Sequence, residues 1–323
     1  MLKIDHLSTS YKTIDGNVRV VNDVDFEIYD NEIFGIAGES GCGKTTLLKA
    51  LYDIVEFPLE IDSGRVILSG EKSGKVFSFE SGKIRKTWWN NISYVPQAAQ
   101  SVLNPITRLK SQFLDSIPKG DRRNETEVQT LKRVSQYLEE LSLSPGLLNA
   151  FPFQLSGGMR QRVIIALATF MSPSVVLADE PTTALDVVVQ RGILMMLMRL
   201  QKQLKNTLVL VSHDMGVHYQ ITNRMGIMYS GSFVELGKTE DIFNDPIHPY
   251  TKMLISALPK VGDKSQKVGI PGRPPALTNP PPGCRFAPRC PQAKERCAQC
   301  APAFREVRPG RFTACHRLNG EVE

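Results

Sequence analysis

The sequence has no apolar run long enough to cross a membrane, and its first residues lack the layout of a secretory signal peptide. The longest apolar stretch, residues 163–171, has nine residues, whereas a spanning helix needs about 20. Residues 1–5 read MLKID, which is not a basic end followed by a hydrophobic core. We therefore expect a cytosolic protein, for which any role at a membrane would come through a partner.

The chain also has little excess charge and few cysteines outside its C-terminal part. Cys42 is the one cysteine before Cys284. A net charge of +6, from 39 basic and 33 acidic residues, is too small to predict nucleic-acid binding. With 41% hydrophobic and 22% charged residues, the composition is that of a globular protein. The other five cysteines cluster within residues 284–315. In a reducing compartment, such a cluster indicates metal binding rather than disulfides.

The clearest positive signal is a glycine-rich loop between a predicted strand at residues 33–37 and a predicted helix. Residues 38–46 read GESGCGKTT, and G-x-x-x-x-G-K-T is the spacing of a phosphate-binding loop. Its backbone N–H groups and helix N-terminus would bind phosphate oxygens, Lys44 would reach the β- and γ-phosphates, and Thr45 would bind Mg²⁺. The alternative is a glycine turn that caps a helix. The predicted nucleotide-binding residues are Gly38, Ser40, Gly41, Cys42, Gly43, Lys44, Thr45 and Thr46.

Strands that alternate with helices predict a parallel sheet covered on both faces. The predicted segments are antiparallel strands within residues 1–34 with a turn at 15–17, strands at 63–69 and 76–79, helices within 105–150, and strands at 175–178 and 207–211. From Pro271 onward, prolines predict a stiff, extended linker. We therefore place a domain boundary near residue 260.

Two acidic residues follow the predicted strand at residues 175–178. Carboxylates at the carboxyl end of a buried strand lie where open α/β sheets bind ligands. Asp179 would hold Mg²⁺, and Glu180 would orient and deprotonate the water that attacks the γ-phosphate. Many strands end in solvated acids, but a phosphate-binding loop in the same chain favours the catalytic interpretation.

A second helix N-terminus is predicted at residues 155–162, which read LSGGMRQR. It presents a hydroxyl and glycine N–H groups, and so predicts a second anion-binding surface. Since one γ-phosphate does not need two such surfaces from one chain, we infer a head-to-tail dimer in which residues 156–158 of one subunit cover the nucleotide on Lys44 of another. The alternative is a helix capped by Ser156.

These segments together resemble an ABC ATPase, with residues 155–162 as its signature motif. The resemblance implies that Gln97, in the Q-loop-like residues 94–97, lies near Mg²⁺ and the attacking water. It also implies that His213 contacts the γ-phosphate and that the ring of Tyr11 packs against adenine. The residues implied to act across the dimer are Ser156, Gly157, Gly158 and Asp186; those implied to hold Mg²⁺ are Thr45, Gln97 and Asp179.

Residues 155–162, 178–187 and 248–251, with the proline-then-cysteine region, resemble the ATP-binding subunits of oligopeptide/dipeptide importers. That resemblance implies a peripheral protein at the cytoplasmic face of the membrane. Its partners would be a second ABC ATPase subunit, identical or not, two integral membrane permeases, and an extracytoplasmic solute-binding protein, with no nucleic acid. Alternatives are an importer of oligosaccharides, a soluble ABC ATPase that does not act in transport, and an ATP-sensing regulator.

The cysteine spacing leaves zinc and an iron–sulfur cluster open, and Cys297, Cys300 and His316 offer a zinc-like set. Residues 284–315 carry seven Lys/Arg and two Asp/Glu, a net +5, which predicts lowered thiol pKa values. The importer family carries a 4Fe–4S cluster on a matching tail. This resemblance implies a cluster, with a structural or a redox role, on Cys284, Cys290, Cys297 and Cys315.

The fold implied by the resemblance is an α/β P-loop ABC ATPase domain over residues 1–260. It would consist of a mostly parallel sheet flanked by helices, an N-terminal antiparallel part, and a helical subdomain at about residues 98–165. Residues 261–323 would form a short, Cys-rich, cluster-binding C-terminal extension. The implied cofactors are ATP, Mg²⁺ and the 4Fe–4S cluster, with zinc as the lesser alternative.

Overall fold

A computed structural model describes residues 1–68, 84–97, 99–118, 125–259 and 269–318. The chain forms two compact units, Met1–Gly82 with Leu210–Glu323 (unit 1) and Lys83–Val209 (unit 2). The predicted strand at residues 76–79 and the predicted boundary near residue 260 fall outside the described residues. The division into domains 1–260 and 261–323, with its helical subdomain, stays a prediction.

Unit 1 contains two groups of strands and several short helices. In chain-order numbering, its strands are β1 (Leu2–Thr13), β2 (Gly16–Ile28), β3 (Ile33–Ala37), β4 (Leu59–Leu68), β8 (Arg224–Tyr229), β9 (Ser232–Lys238), β10 (Arg305–Arg308) and β11 (Arg311–Thr313). Its helices are α1 (Lys44–Leu51), α7 (Met215–Ile221), α8 (Thr239–Asn244), α9 (Pro249–Ser256) and α10 (Glu295–Gln299).

The first group of strands is the predicted N-terminal antiparallel part. β1 pairs with β2 on one side and with β4 on the other, both antiparallel. Because Thr13 pairs with Gly16, the turn lies at Ile14 and Asp15, slightly earlier than predicted. The predicted strand at 63–69 begins earlier, at Leu59.

The second group of strands positions the phosphate-binding loop. β3, which is buried throughout, pairs in parallel with β8 as the alternating pattern predicts. β8 pairs antiparallel with β9. On its other side β9 pairs antiparallel with β11, which in turn pairs antiparallel with β10. Because Tyr229 pairs with Ser232 in a tight turn, β9 can only return antiparallel. The strands of the C-terminal extension were not predicted.

The core of unit 1 joins the C-terminal extension to the sheet. A buried cluster contains Met225, Ile227, Tyr229 and Tyr250 from the sheet and α9, and also Phe286 from the extension. The Phe286 ring centroid lies 5.2 Å from that of Tyr229 and 5.3 Å from that of Tyr250. The extension therefore contributes to the hydrophobic core of unit 1.

Unit 2 is mainly helical. Its helices are α2 (Ala99–Val102), α3 (Leu109–Ser116), α4 (Glu127–Glu140), α5 (Gly157–Thr169) and α6 (Val187–Leu204), and its strands are β5 (Ile92–Val95) and β6 (Val175–Asp179). β5 and β6 are parallel. Thr126 begins α4 with a capping box that includes Gln129, and the ring of Phe170 packs against those of Phe113 and Tyr137.

Strand β7 (Thr207–Val211), as predicted, carries the chain from unit 2 back into unit 1. At its start, the N–H of Thr207 donates to the Ser174 carbonyl; past its end, the N–H of Ser212 donates to the Ile36 carbonyl. Within the described ranges, no helix is both long and apolar enough to cross a bilayer.

Candidate active site

The phosphate-binding loop has the predicted strand–loop–helix form. β3 ends at Ala37 and α1 begins at Lys44. Gly43 has a φ of 104°, and a Cβ atom at this position would lie 2.7 Å from the Val20 carbonyl oxygen. A side chain there would be strained and would collide with backbone, so the loop conformation requires glycine.

The Lys44 side chain is buried within the loop. Its Nζ donates to the carbonyl oxygens of Gly38 at 2.8 Å and Glu39 at 3.0 Å. Because burial disfavours the thiolate, the pKa of Cys42 is raised even though Lys44 lies beside it. Cys42 therefore acts as a small buried side chain, while Lys44 supplies positive charge to the loop.

Two more predicted ligands of ATP belong to unit 1. The Tyr11 hydroxyl lies 3.4 Å from Thr46 Oγ1, so this tyrosine is next to the first turn of α1. His213 is exposed and lies two residues beyond the end of β7. The carbonyl of the preceding residue, Ser212, is 3.0 Å from Nε2 of the buried His218.

His218 was not predicted, although it fixes the segment that carries His213. Burial lowers the pKa of His218 to about 4, so its ring is neutral near pH 7, with the proton on Nε2 facing the Ser212 carbonyl. A Cβ atom at Gly35 would lie 2.5 Å from Nδ1 of this ring. The glycine in β3 therefore makes room for His218.

In unit 2, the acidic end of β6 is held by a neighbouring strand. Asp179 is 1% exposed, and its Oδ2 accepts a 2.9 Å hydrogen bond from the Tyr94 hydroxyl of β5. Burial, and then the Asp179 carboxylate, raise the pKa of Tyr94. Tyr94 therefore stays protonated and remains a donor to Asp179.

Glu180 and Gln97 are in direct contact, as their predicted roles require. Gln97 Nε2 donates to Glu180 Oε2 at 3.1 Å, and Thr183 Oγ1 donates to the same oxygen at 2.7 Å. Glu180 has a φ of 45°, a left-handed conformation that is uncommon outside glycine. This arrangement places a carboxylate and an amide where they can jointly orient a water molecule.

Unit 2 contains the helix N-terminus predicted at residues 155–162 and a further one at Asp186. Ser156 caps α5, since its Oγ accepts from the Met159 N–H at 3.3 Å. Asp186 caps α6 by accepting from the N–H groups of Val188 at 3.1 Å and Val189 at 2.9 Å. Because a Cβ atom at Gly158 would lie 2.6 Å from Val189 Cγ1, the glycine lets α5 approach α6 closely.

Comparison with known proteins identifies the family. The family described as "ABC transporter" matches residues 21–183, and "Oligopeptide/dipeptide transporter, C-terminal region" matches residues 234–297. The dipeptide transport ATP-binding protein DppD of Caldanaerobacter subterraneus subsp. tengcongensis is 38% identical over 98% of this chain and 96% of its own length. This chain belongs to the ABC transporter ATP-binding proteins.

Other comparisons agree. The oligopeptide transport ATP-binding protein OppD of Salmonella typhimurium is 34% identical over 98% of this chain and 93% of its own. The dimeric ATP-binding cassette MJ0796, solved in a post-hydrolysis state with ADP and Pi, is 26% identical with a TM-score of 0.63, covering 74% of this chain and 99% of that one. The P-loop ABC ATPase fold expected from the sequence is confirmed.

The predicted residues of this ABC protein are divided between its units. Unit 1 has Tyr11, Gly38, Ser40, Gly41, Cys42, Gly43, Lys44, Thr45, Thr46 and His213; unit 2 has Gln97, Ser156, Gly157, Gly158, Asp179, Glu180 and Asp186. Within unit 2, the structure brings Gln97 and Glu180 together. The individual roles of these residues stay predictions.

The C-terminal cysteines of the ABC protein fall into two groups. The four predicted cluster ligands, Cys284, Cys290, Cys297 and Cys315, all line one small cavity. The side chain of Cys300 is exposed, with its Sγ 3.8 Å from His316 Nε2. Among the described residues, no group of three or more His, Cys, Asp or Glu side chains has the arrangement of a metal site.

The prediction that basic surroundings lower the thiol pKa values is wrong for three of these cysteines. Burial raises the pKa of Cys284 to about 11, and it also raises the pKa values of Cys290 and Cys315. Neighbouring thiols add to the shift. Loss of solvation outweighs the net positive charge of the segment, because the thiolate form requires solvent or a bound cation.

Proposed function

We propose that this chain binds and hydrolyses ATP as the energising subunit of a dipeptide/oligopeptide importer. The observation that carries the proposal is the contact between Gln97 and Glu180 directly after the buried Asp179. A water-orienting amide, a general base and a Mg²⁺-binding carboxylate are what hydrolysis of a γ-phosphate needs. The names of the relatives, dipeptide and oligopeptide transport ATP-binding proteins, support the class of cargo.

In this proposal, the residues of unit 1 bind the triphosphate. The N–H groups of the loop hold phosphate oxygens, apart from that of Glu39, which donates to the Tyr250 hydroxyl. Lys44 exchanges its contacts with the Gly38 and Glu39 carbonyls for the β- and γ-phosphates. Tyr11 packs against adenine, and His213 contacts the γ-phosphate. Charge neutralisation by the lysine lowers the barrier as negative charge shifts in the transition state.

The donor set fits Mg²⁺, which prefers oxygen ligands. We infer that the Thr45 hydroxyl, the Asp179 carboxylate and the Gln97 amide oxygen hold the ion, which when bound neutralises phosphate charge. Tyr94 orients Asp179 through its 2.9 Å hydrogen bond. Glu180 accepts the proton of the attacking water, while Gln97 fixes the geometry of that carboxylate.

We infer that two cassettes pair head to tail. Ser156, Gly157 and Gly158 at the start of α5, with Asp186 at the start of α6, would complete the ATP site of the partner subunit. The exposed N-terminus of α5 and the dimeric state of the MJ0796 cassette support this pairing. Mass measurement of the ATP-loaded Glu180→Gln protein tests it, since a chain that stays monomeric under ATP saturation excludes a homodimer and requires a second kind of ATPase subunit.

The importer would also include two integral membrane permeases and an extracytoplasmic solute-binding protein. The chain would then lie peripherally at the cytoplasmic face of the membrane. Co-purification from membranes with integral subunits supports this location, whereas recovery with ribosomes or DNA contradicts it. The match of residues 234–297 to the oligopeptide/dipeptide transporter C-terminal region favours peptides as the imported solute.

Equilibrium titration with ATP tests the binding step of the proposal. We expect Lys44→Ala to weaken ATP binding by about tenfold or more, because it removes a buried charge that would contact the phosphates. Lys252→Ala, an exposed lysine on α9, is the control and should bind like the wild type. Equal ATP affinity in Lys44→Ala and the control would contradict the proposed role of the loop.

We propose further that the C-terminal extension holds a 4Fe–4S cluster, with zinc as the lesser alternative. The cavity lined by Cys284, Cys290, Cys297 and Cys315 supports a four-thiolate ligand set. When bound, the cluster would crosslink loops of a segment with few buried residues of its own. A structural role is favoured, since the thiols face a small cavity beside the buried Phe286.

Iron and zinc content of anaerobically purified protein tests this assignment. We expect about four iron atoms per chain, loss of most of that iron in Cys290→Ser, and retention in Cys300→Ser. Cys300 is a matched control because it lies in the same extension but does not line the cavity with the other four. A colourless wild-type protein with stoichiometric zinc would exclude the cluster.

A further inference from the structure

A buried arginine of the C-terminal extension contacts the phosphate-binding loop. Arg289 forms a bidentate ion pair with Glu39, Nη1 to Oε2 at 2.8 Å and Nη2 to Oε1 at 3.0 Å. The Arg289 side chain is 5% exposed and that of Glu39 is 25% exposed. Planar, two-point pairing of this kind fixes both position and orientation of the carboxylate.

Glu39 is held from three directions. Its carboxylate pairs with Arg289, its N–H donates to the Tyr250 hydroxyl at 3.2 Å, and its carbonyl accepts from Lys44 at 3.0 Å. One residue of the loop is thus connected both to the lysine that would bind phosphate and to groups more than 200 positions away in the chain. The ion pair is therefore part of the loop's support.

Arg289 is itself fixed by its surroundings. Its Nε donates to the Pro271 carbonyl at 2.8 Å, and Nη1 donates to the Tyr229 hydroxyl at 3.2 Å. Pro274, Pro275 and Leu277 line a small cavity together with residues 39–42. The proline-rich part of the extension consequently lies against the loop, and Arg289 is the charged group that joins the two.

The charge of Glu39 explains why such a partner is needed. An acidic side chain in a loop that accepts a polyanion repels the ligand unless a cation neutralises it. Burial makes the effect larger, because a partly buried charge is less screened by water and salt. Arg289 supplies the compensating charge through its two hydrogen bonds to the Glu39 carboxylate.

We propose that Arg289 is a positioning residue for nucleotide binding, which acts by holding and neutralising Glu39 in the phosphate-binding loop. The inference rests on the proposed ATP binding by this loop. It predicts that the C-terminal extension contributes to ATP affinity through one ion pair. The substitution Arg289→Gln should expose the phosphates to an unpaired carboxylate.

Equilibrium ATP titration of the full chain, in the wild-type background and in a Glu39→Gln background, tests the proposal. We expect Arg289→Gln to raise the Kd for ATP about tenfold when Glu39 is present, and by less than about twofold when Glu39→Gln has removed the repelling charge. Arg308→Gln is the control, because Arg308 pairs with Asp245 at 2.7 Å in the same extension while both side chains are more than half exposed.

The two backgrounds separate positioning from a merely structural role. If Arg289 only anchored the extension through Pro271 and Tyr229, its loss would lower stability equally in both backgrounds and leave ATP affinity unchanged, which would overturn the proposal. Should Arg289→Gln fail to fold, Arg289→Met replaces it, since methionine also removes the charge while keeping an unbranched apolar stem in the buried position. An unchanged Kd in Arg289→Met would then also overturn the proposal. A wild-type chain that does not bind ATP would instead refute the proposed function.

Discussion

The substitution Glu180→Gln separates catalysis from binding in this chain. Glu180 Oε2 accepts hydrogen bonds from Gln97 and Thr183. The amide oxygen of a glutamine can accept both of these bonds, and the two side chains have nearly the same shape. The variant should therefore keep the local structure and lose mainly the ability of the side chain to take a proton.

The expected magnitude follows from that single loss. A positioned general base contributes about 10²- to 10⁴-fold to a rate, which corresponds to about 3–5 kcal/mol of activation free energy. We expect hydrolysis to fall by this factor while ATP affinity stays within about threefold of the wild-type value. The N–H groups of the loop and Lys44, which would hold the nucleotide, belong to the other unit and are unchanged.

The assay measures steady-state phosphate release by the assembled transporter, together with equilibrium ATP binding by the isolated chain. Glu139→Gln, an exposed position on α4 in the same unit, is the matched control and should hydrolyse ATP normally. If Glu180 served only to orient Gln97, the amide side chain introduced by Glu180→Gln would orient Gln97 equally well. Hydrolysis within about threefold of wild type in Glu180→Gln would therefore refute the assignment of Glu180 as the base.

Two buried histidines and the Phe286 ring should each affect the stability of the fold. His218 and His248 are fully buried, and burial lowers their pKa values to about 4 and about 3, below 6.5 in the unfolded chain. As pH falls below about 6.5, the unfolded chain binds protons that the folded chain does not, so the free energy of unfolding should decrease by up to about 1.4 kcal/mol per pH unit for each histidine. Urea titrations at pH 6.5 and 5.0 measure this loss of unfolding free energy, which should be smaller in His218→Gln than in the wild type. An equal loss in both proteins would show that His218 is not its source. Phe286→Ala deletes a ring packed against those of Tyr229 and Tyr250 and should lower the free energy of unfolding by about 3–5 kcal/mol. The control is Phe153→Ala at an exposed position, which should lower it by less than about 1 kcal/mol. Similar decreases in the two variants would contradict a core shared by the sheet and the extension.

The phosphate-binding loop was predictable because its parts are contiguous in sequence. The apolar run of β3, the glycines and the apolar spacing of α1 follow one another within about 20 residues, so local rules suffice. The same holds for β6 and the acids at its end. The glycine at position 43 indicates a turn with positive φ, because other residues rarely adopt that backbone conformation.

The contact between Gln97 and Glu180 depends on register, which the sequence does not encode locally. β5 and β6 are parallel, with Val95 opposite Ala178. Gln97 and Glu180 each stand two residues beyond that pair, so the shared register places them side by side. Strand patterning predicts where each strand ends, but the offset between two strands is fixed by packing of the whole unit.

The C-terminal extension shows where sequence reasoning fails. Counting charges predicted lowered thiol pKa values, but burial raises that of Cys284 to about 11, and burial is a property of the folded chain. Likewise, Arg289 and Glu39 are 250 residues apart, and each alone resembles an ordinary surface charge. Their pairing arises because β11 joins β9 and Phe286 enters the core, which no local pattern indicates.

The two interpretations of Ser156, a helix cap and an anion-binding group, are compatible. A hydroxyl has two acceptor lone pairs and one hydrogen to donate. The cap uses a lone pair, since Ser156 Oγ accepts from the Met159 N–H, and the O–H hydrogen is the group that a phosphate oxygen would require. Capping also fixes the side chain at the N-terminus of α5, where the helix dipole favours an anion. The same bond that stabilises α5 therefore pre-orients Ser156 for a nucleotide held by another subunit.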